Sequence, residues 1–83
     1  MVLFTHVIED AEGLHARSVV KIITESQRWL STVTVSCGTS GASGTDLMGL
    51  MGLDARHGDE LIVTVEGSDE EAAAMALQQV FTF

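Results

Sequence analysis

The chain has 83 residues and a net charge of −8, with one cysteine, Cys37, and no apolar run approaching the roughly 20 residues that cross a bilayer. This composition predicts one soluble domain over residues 1–83, in the reducing cytoplasm, with no leader and no membrane insertion. The negative charge excludes nucleic acid as an expected ligand and favours protein partners with a basic surface.

The first elements are predicted from an apolar run and a helical repeat. Residues 2–8 are β-prone and predict a strand, which the acidic, glycine-containing segment 9–13 ends. From Ala16 to Leu30 the apolar residues recur with helical spacing and predict a helix. Its core-facing side is expected to contain Ala16, Val19, Val20, Ile23 and Leu30, with Ile22 on the flank and Trp29 as a core anchor at the helix end.

The middle of the chain predicts a hairpin followed by a short helix. Residues 32–37 alternate strictly, which predicts a strand with its valines and the buried thiol of Cys37 facing the core. Turn-forming residues follow, and a short strand over residues 40–43 can pair back on the first. Asp46 is a typical N-cap, so we expect a short helix after it that ends near Gly52 to Leu53.

The last elements are a strand and an amphipathic helix. Residues 61–65 predict a strand with Leu61, Val63 and Val65 inward. The capping box Ser68–Glu71 predicts a helix from Asp69 to about Phe81. Its core stripe is expected to contain Ala73, Ala76, Leu77, Val80 and Phe81. The order β-α-β-β-α-β-α predicts an α+β fold in which helices cover one face of an antiparallel sheet.

The run Gly13-Leu14-His15-Ala16-Arg17 places a histidine where a loop turns into a helix. The first N–H groups of a helix lack internal partners and the dipole is positive there, so phosphate can be held at this end. The imidazole of His15 is nucleophilic near neutral pH, and Arg17 can pair with phosphate oxygens. The spacing alone equally allows His15 to act only as a helix cap.

Over its whole length the chain resembles the HPr family, the histidine-containing phosphocarrier proteins of the bacterial sugar phosphotransferase system. Two motifs carry the resemblance, Gly13–Arg17 and Asp46–Leu53, together with their separation and the order of elements. The resemblance implies an open-faced β-sandwich, with a four-stranded antiparallel sheet and three helices on one face.

The resemblance implies a relay and no independent catalyst. Enzyme I, charged from phosphoenolpyruvate, donates to Nδ1 of His15, and the carrier passes the group to a IIA domain. The N–H groups of Ala16 and Arg17 orient the phosphate beside the Arg17 guanidinium. No cofactor and no metal are implied, since the histidines lack metal-site spacing and no cluster of cysteines or carboxylates of that type is visible. We expect a monomer.

Three departures from the family bear on this reading. Ser18 replaces a usual proline, and its N–H either donates to phosphate as well or loosens the turn. Asp46 stands where many Gram-positive members carry a kinase-regulated serine, so it either imitates that phosphoserine or is only an N-cap. Lysines that frame the histidine in many relatives are missing, which predicts either an enzyme I that is less acidic at its docking surface or a chain that has left the sugar system. These departures also favour an alternative, a regulatory binding module that no longer relays phosphate.

A possible docking patch follows Asp46. Leu47, Met48 and Met51 lie on the short helix, and methionine suits a surface that fits several partners. A stripe of this kind is equally typical of a core-facing helix side, so exposure of these side chains decides between the two interpretations.

Overall fold

The computed structural model describes residues 1–83 and contains the seven elements in the predicted order. They are β1 (Val2–Val7), α1 (Ala16–Ser26), β2 (Thr32–Cys37), β3 (Ser40–Ser43), α2 (Leu47–Gly52), β4 (Glu60–Glu66) and α3 (Glu70–Val80). None of the three helices combines the length and the apolar character that a membrane crossing requires.

The four strands form one sheet in the order β1-β4-β2-β3, and every neighbouring pair is antiparallel. Side chains on β4 alternate as predicted, with Leu61, Val63 and Val65 fully buried and Ile62 exposed. The helices cover the buried face and the other face is open, which confirms the predicted α+β fold.

Helix α1 is shorter and rotated relative to the prediction. It ends at Ser26, and the chain then turns toward β2, so Leu30 lies outside the helix and is 86% exposed. Val20, expected to face the core, is also exposed, whereas Ile22, expected on the flank, is fully buried. The buried stripe includes two serines, Ser18 and Ser26, which a hydrophobic pattern does not detect.

Two further side chains of this region are less buried than expected. Trp29 packs against the core only in part, and its indole N–H donates to the Glu25 carboxylate at 2.8 Å. Cys37 faces the core but stays partly accessible, and desolvation raises the pKa of its thiol.

The predicted capping box of α3 is wrong. Ser68 is exposed and caps nothing, and the helix begins one residue later than expected, at Glu70. Glu70 accepts from the Gly67 N–H at 3.1 Å, while the Asp69 carboxylate accepts from the Leu30 N–H at 2.9 Å and from Ser31. The aspartate next to the serine therefore joins α3 to the segment before β2.

Candidate functional site

The loop before α1 depends on Gly13, whose backbone conformation and close contact would strain any residue with a side chain. Gly13 has a φ of +72°, and a Cβ there would lie 2.5 Å from the Ala55 carbonyl oxygen. Leu14, which is buried, donates its N–H to that same oxygen at 2.9 Å. The loop is thus docked on the segment after α2, and His15 follows at a defined position.

His15 is the N-cap of α1, and Ser18 holds its backbone. The first hydrogen bond of the helix runs from the Val19 N–H to the His15 carbonyl at 2.9 Å. The buried Ser18 hydroxyl donates to the same carbonyl at 2.9 Å and accepts from the His15 N–H at 3.1 Å. The Ser18 N–H approaches the His15 side chain in return, short of hydrogen-bond geometry. The serine hydroxyl therefore restrains this turn.

The start of α1 offers unused donors. The N–H groups of Ala16, Arg17 and Ser18 have no backbone acceptor in the fold, as is general for a first helical turn. Together with the helix dipole they favour an anion at this end. The location that the sequence predicts for phosphate is therefore chemically suited to it.

The His15 ring contacts two carboxylates. Its Nε2 lies 3.1 Å from Asp10 Oδ2 and 3.9 Å from Glu12 Oε2, and the side chain is 26% exposed. Asp10 also accepts from the Glu12 N–H at 2.9 Å. This backbone hydrogen bond, followed by the contact with His15, lowers the pKa of Asp10, so its carboxylate is ionised at neutral pH.

An open, mainly polar cavity of about 590 Å³ lies beside the ring. It is lined by Asp10, Glu12, His15, Arg17, Ser18, Lys21, Thr82 and Phe83.

The cavity contains the two unpaired cations of the chain. Arg17 and Lys21 have no carboxylate within 4.0 Å, whereas Arg28 pairs with Glu25 and Arg56 pairs with Asp54. The free positive charges thus lie in the same cavity as the His15 ring.

Three charged residues of this site were missed from the sequence. Lys21 follows Arg17 by four residues on the exposed side of α1, a spacing that could have indicated it. Asp10 and Glu12 precede His15 by five and three residues in a loop, where spacing alone does not define proximity.

The fold also assembles a carboxylate cluster that the sequence reasoning did not find. One oxygen each of Asp10 and Glu12 and one ring nitrogen of His15 lie within 4.8 Å of one another. Such atoms can hold a metal ion, but both oxygens of Asp10 already have partners, the Glu12 N–H and the ring. We interpret the Asp10 carboxylate alone as a hydrogen-bonded support for the imidazole.

Helix α2 has the two features expected of it. Asp46 accepts from the Gly49 N–H at 3.1 Å, which confirms it as the N-cap. Leu47, Met48 and Met51 are all exposed, at 47%, 79% and 42%, and Leu50 alone faces the core. Helix α2 packs against α1. Docking at the patch and regulation at Asp46 stay predictions.

Comparisons with known proteins agree on one family. A family model described as the HPr component phosphorylation site of the phosphotransferase system matches residues 2–82. The phosphocarrier protein HPr of Treponema pallidum is 33% identical over 81 residues, which cover 98% of this chain and 92% of that protein. A multiphosphoryl transfer protein of Vibrio cholerae is 34% identical over 74 residues, covering 84% of this chain and 18% of that protein. The solved histidine-containing phosphocarrier protein of Mycoplasma superposes with a TM-score of 0.92 at 25% identity, over 95% of this chain and 90% of that one.

Proposed function

Because the chain belongs to the HPr phosphocarrier family, we propose that His15 accepts a phosphoryl group from phosphorylated enzyme I and passes it to a IIA domain during sugar uptake in the cytoplasm. One observation carries this proposal. The His15 ring is the N-cap of a helix and borders a polar cavity that also contains both unpaired cations of the chain, Arg17 and Lys21.

Positioning and charge provide most of what phosphoryl transfer needs from a protein. A phosphoryl group on the ring lies beside the N–H groups of Ala16, Arg17 and Ser18, which have no backbone acceptors. The Arg17 guanidinium and the Lys21 ammonium offset its negative charge. The protein is a substrate of two partners and not a catalyst with turnover of its own.

The partners dock, in this proposal, on the patch formed by Leu47, Met48 and Met51. These side chains are exposed although each is apolar, and methionine adapts to different partner surfaces. The net charge of −8 favours a basic rim around the apolar contact on each partner. The carrier then exchanges partners as a monomer.

The test is phosphorylation by enzyme I and phosphoenolpyruvate. We expect one acid-labile phosphate per chain, lost in His15→Ala and retained in His57→Ala, which removes an exposed loop histidine outside the cavity. Peptide mapping then identifies the modified residue. A wild-type protein that docks on a partner but gains no phosphate with any enzyme I would support the regulatory-module alternative.

A further inference from the structure

Asp10 is oriented before any partner arrives. Its Oδ1 accepts from the Glu12 N–H at 2.9 Å, so the carboxylate is fixed by the backbone of its own loop. The loop is in turn docked by the Leu14 N–H on the Ala55 carbonyl. The second oxygen, Oδ2, lies 3.1 Å from Nε2 of His15. A carboxylate held in this way accepts a hydrogen bond and cannot donate one.

We propose that Asp10 is a positioning residue that keeps the His15 proton on Nε2 and thereby leaves the Nδ1 lone pair available to phosphorus. This inference rests on the proposed function for its consequence, phosphoryl transfer, but its first part concerns the unphosphorylated ring alone. In a neutral imidazole one nitrogen carries the proton and the other the lone pair, and the hydrogen bond at one nitrogen decides which.

The transfer step balances with this proton in place. The Nδ1 lone pair forms the new P–N bond, and the P–N bond of the phosphohistidine on enzyme I breaks, its electron pair returning to the donor imidazole. No proton is exchanged with His15. The ring becomes positively charged as Nδ1 gives up its lone pair, and the Asp10 carboxylate stabilises that charge through Nε2–H. Donation to the next protein is the reverse of these events.

Glu12 does not share this role. Its nearest oxygen is 3.9 Å from Nε2, beyond hydrogen-bond distance, and its side chain is 77% exposed, against 34% for Asp10. The Glu12 side chain makes no hydrogen bond, and the residue contributes only its backbone N–H. Glu12 is therefore the matched control for Asp10, being a carboxylate of the same loop near the same ring.

The tautomer is measured by nitrogen-15 NMR of histidine-labelled protein, with EDTA present so that no metal ion occupies the ring. In wild type and in Glu12→Ala we expect neutral His15 mainly as the Nε2–H form. In Asp10→Ala we expect this preference to be lost and phosphorylation by enzyme I to slow by about 10- to 100-fold, as when the partner that orients a metal-ligating histidine is removed. Glu12→Ala should stay within about twofold of wild type. The amide spectra of both variants verify the fold.

The outcomes separate the two proposals. An unchanged tautomer in Asp10→Ala, or equal losses of rate in Asp10→Ala and Glu12→Ala, would overturn the role of Asp10 while leaving His15 as the phosphorylated residue. If wild type has the Nε2–H ring, Asp10→Ala loses it and no phosphate is ever gained, the proposed function is overturned and the assignment of Asp10 to the tautomer stands.

Discussion

Two aspartates lie near opposite ends of α1 and have similar surroundings but different partners. Asp10 precedes the helix, and Asp69 contacts the segment that follows it. Hydrogen bonds lower the pKa of both, chiefly from the Glu12 N–H for Asp10 and from the Ser31 hydroxyl for Asp69. Asp69 contacts only backbone N–H groups and a hydroxyl of the structural connection, whereas Asp10 directs one oxygen at a titratable ring.

The difference teaches that a carboxylate rich in hydrogen bonds does not identify a functional site. What distinguishes the His15 end is the pair of cations without carboxylate partners, Arg17 and Lys21, beside the first N–H groups of a helix. At the Asp69 end the carboxylate completes a connection between α3 and β2, and the cavity nearby is lined by acidic and small residues. Unpaired positive charge, which suits an anion such as phosphate, therefore distinguishes the His15 cavity from the Asp69 end.

The largest effect on stability is expected at the loop that places the site. Gly13→Ala adds a Cβ 2.5 Å from the Ala55 carbonyl oxygen at a φ of +72°. Gly38→Ala is the matched control, because its φ of +60° imposes the same backbone strain with nothing within 4 Å of the new carbon. We expect the control to lower the free energy of unfolding by about 1–2 kcal/mol. Gly13→Ala should cost about 1–3 kcal/mol more because of overpacking.

Urea unfolding of the two glycine variants measures this difference. If both variants lose the same free energy of unfolding, the loop can move away from Ala55 at no cost. The contact with Ala55 would then not fix the position of His15. A larger loss in Gly13→Ala, accompanied by slower phosphorylation, would strengthen the contrast between the site loop and the distant hairpin turn that contains Gly38.

The next prediction compares the rates of phosphorylation after removal of an unpaired cation, Arg17, and of a paired cation, Arg28. Arg17→Gln and Arg28→Gln each remove one positive charge, but only Arg17 lines the cavity, while Arg28 pairs with Glu25 at 3.3 Å. We expect Arg17→Gln to slow phosphorylation on the order of tenfold, the loss of one charged hydrogen bond to phosphate. Arg28→Gln should change it by less than about twofold. Rates measured with one enzyme I at fixed salt decide this, and equal slowing would mean that only net charge matters.

Much of the fold could be predicted because β4 and β2 alternate cleanly and because glycine and aspartate mark the turns. The errors on α1 have one cause. On α1 the pattern of apolar residues pointed to Val20 and Leu30, whereas the buried stripe is completed by Ser18 and Ser26. The Ser18 hydroxyl bonds to the backbone of its own turn, and Ser26 is small enough for a close approach of Gly44, neither of which hydrophobicity registers.

Of the residues around the cavity, the sequence predicted those at the start of α1 and not those of the loop before it. His15 and Arg17 could be identified because a helix N-terminus and a two-residue spacing are local properties. Asp10 was missed because its distance from the ring depends on the conformation of the loop, which is set by Gly13 and its contact with Ala55. Local patterns therefore indicate the proposed phosphoryl acceptor, His15, and the docking of the loop brings the Asp10 carboxylate to its ring.

The smallest effect is expected for Asp69→Asn, on thermal stability, and it depends on pH. Its folded-state pKa is lowered, so its contribution to stability is complete above the unfolded-state pKa of about 3.9 and is lost as the pH falls through the folded value. Asp69→Asn should therefore unfold at a lower temperature than wild type at pH 5 to 7, by a similar margin throughout, and the margin should shrink below about pH 4. Glu71→Gln, in the same first turn of α3 but without a hydrogen bond, should show no such margin.

Thermal unfolding across this pH range also tests the comparison between the two aspartates. If Asp69 is only structural, Asp69→Asn loses stability at neutral pH and keeps the wild-type rate of phosphorylation. If Asp10 serves the ring, Asp10→Ala shows the reverse, since the only structural hydrogen bond of its side chain lies within one exposed loop. A loss of phosphorylation in folded Asp69→Asn would break the distinction, because the connection to Leu30 and Ser31 would then influence His15 through the length of α1.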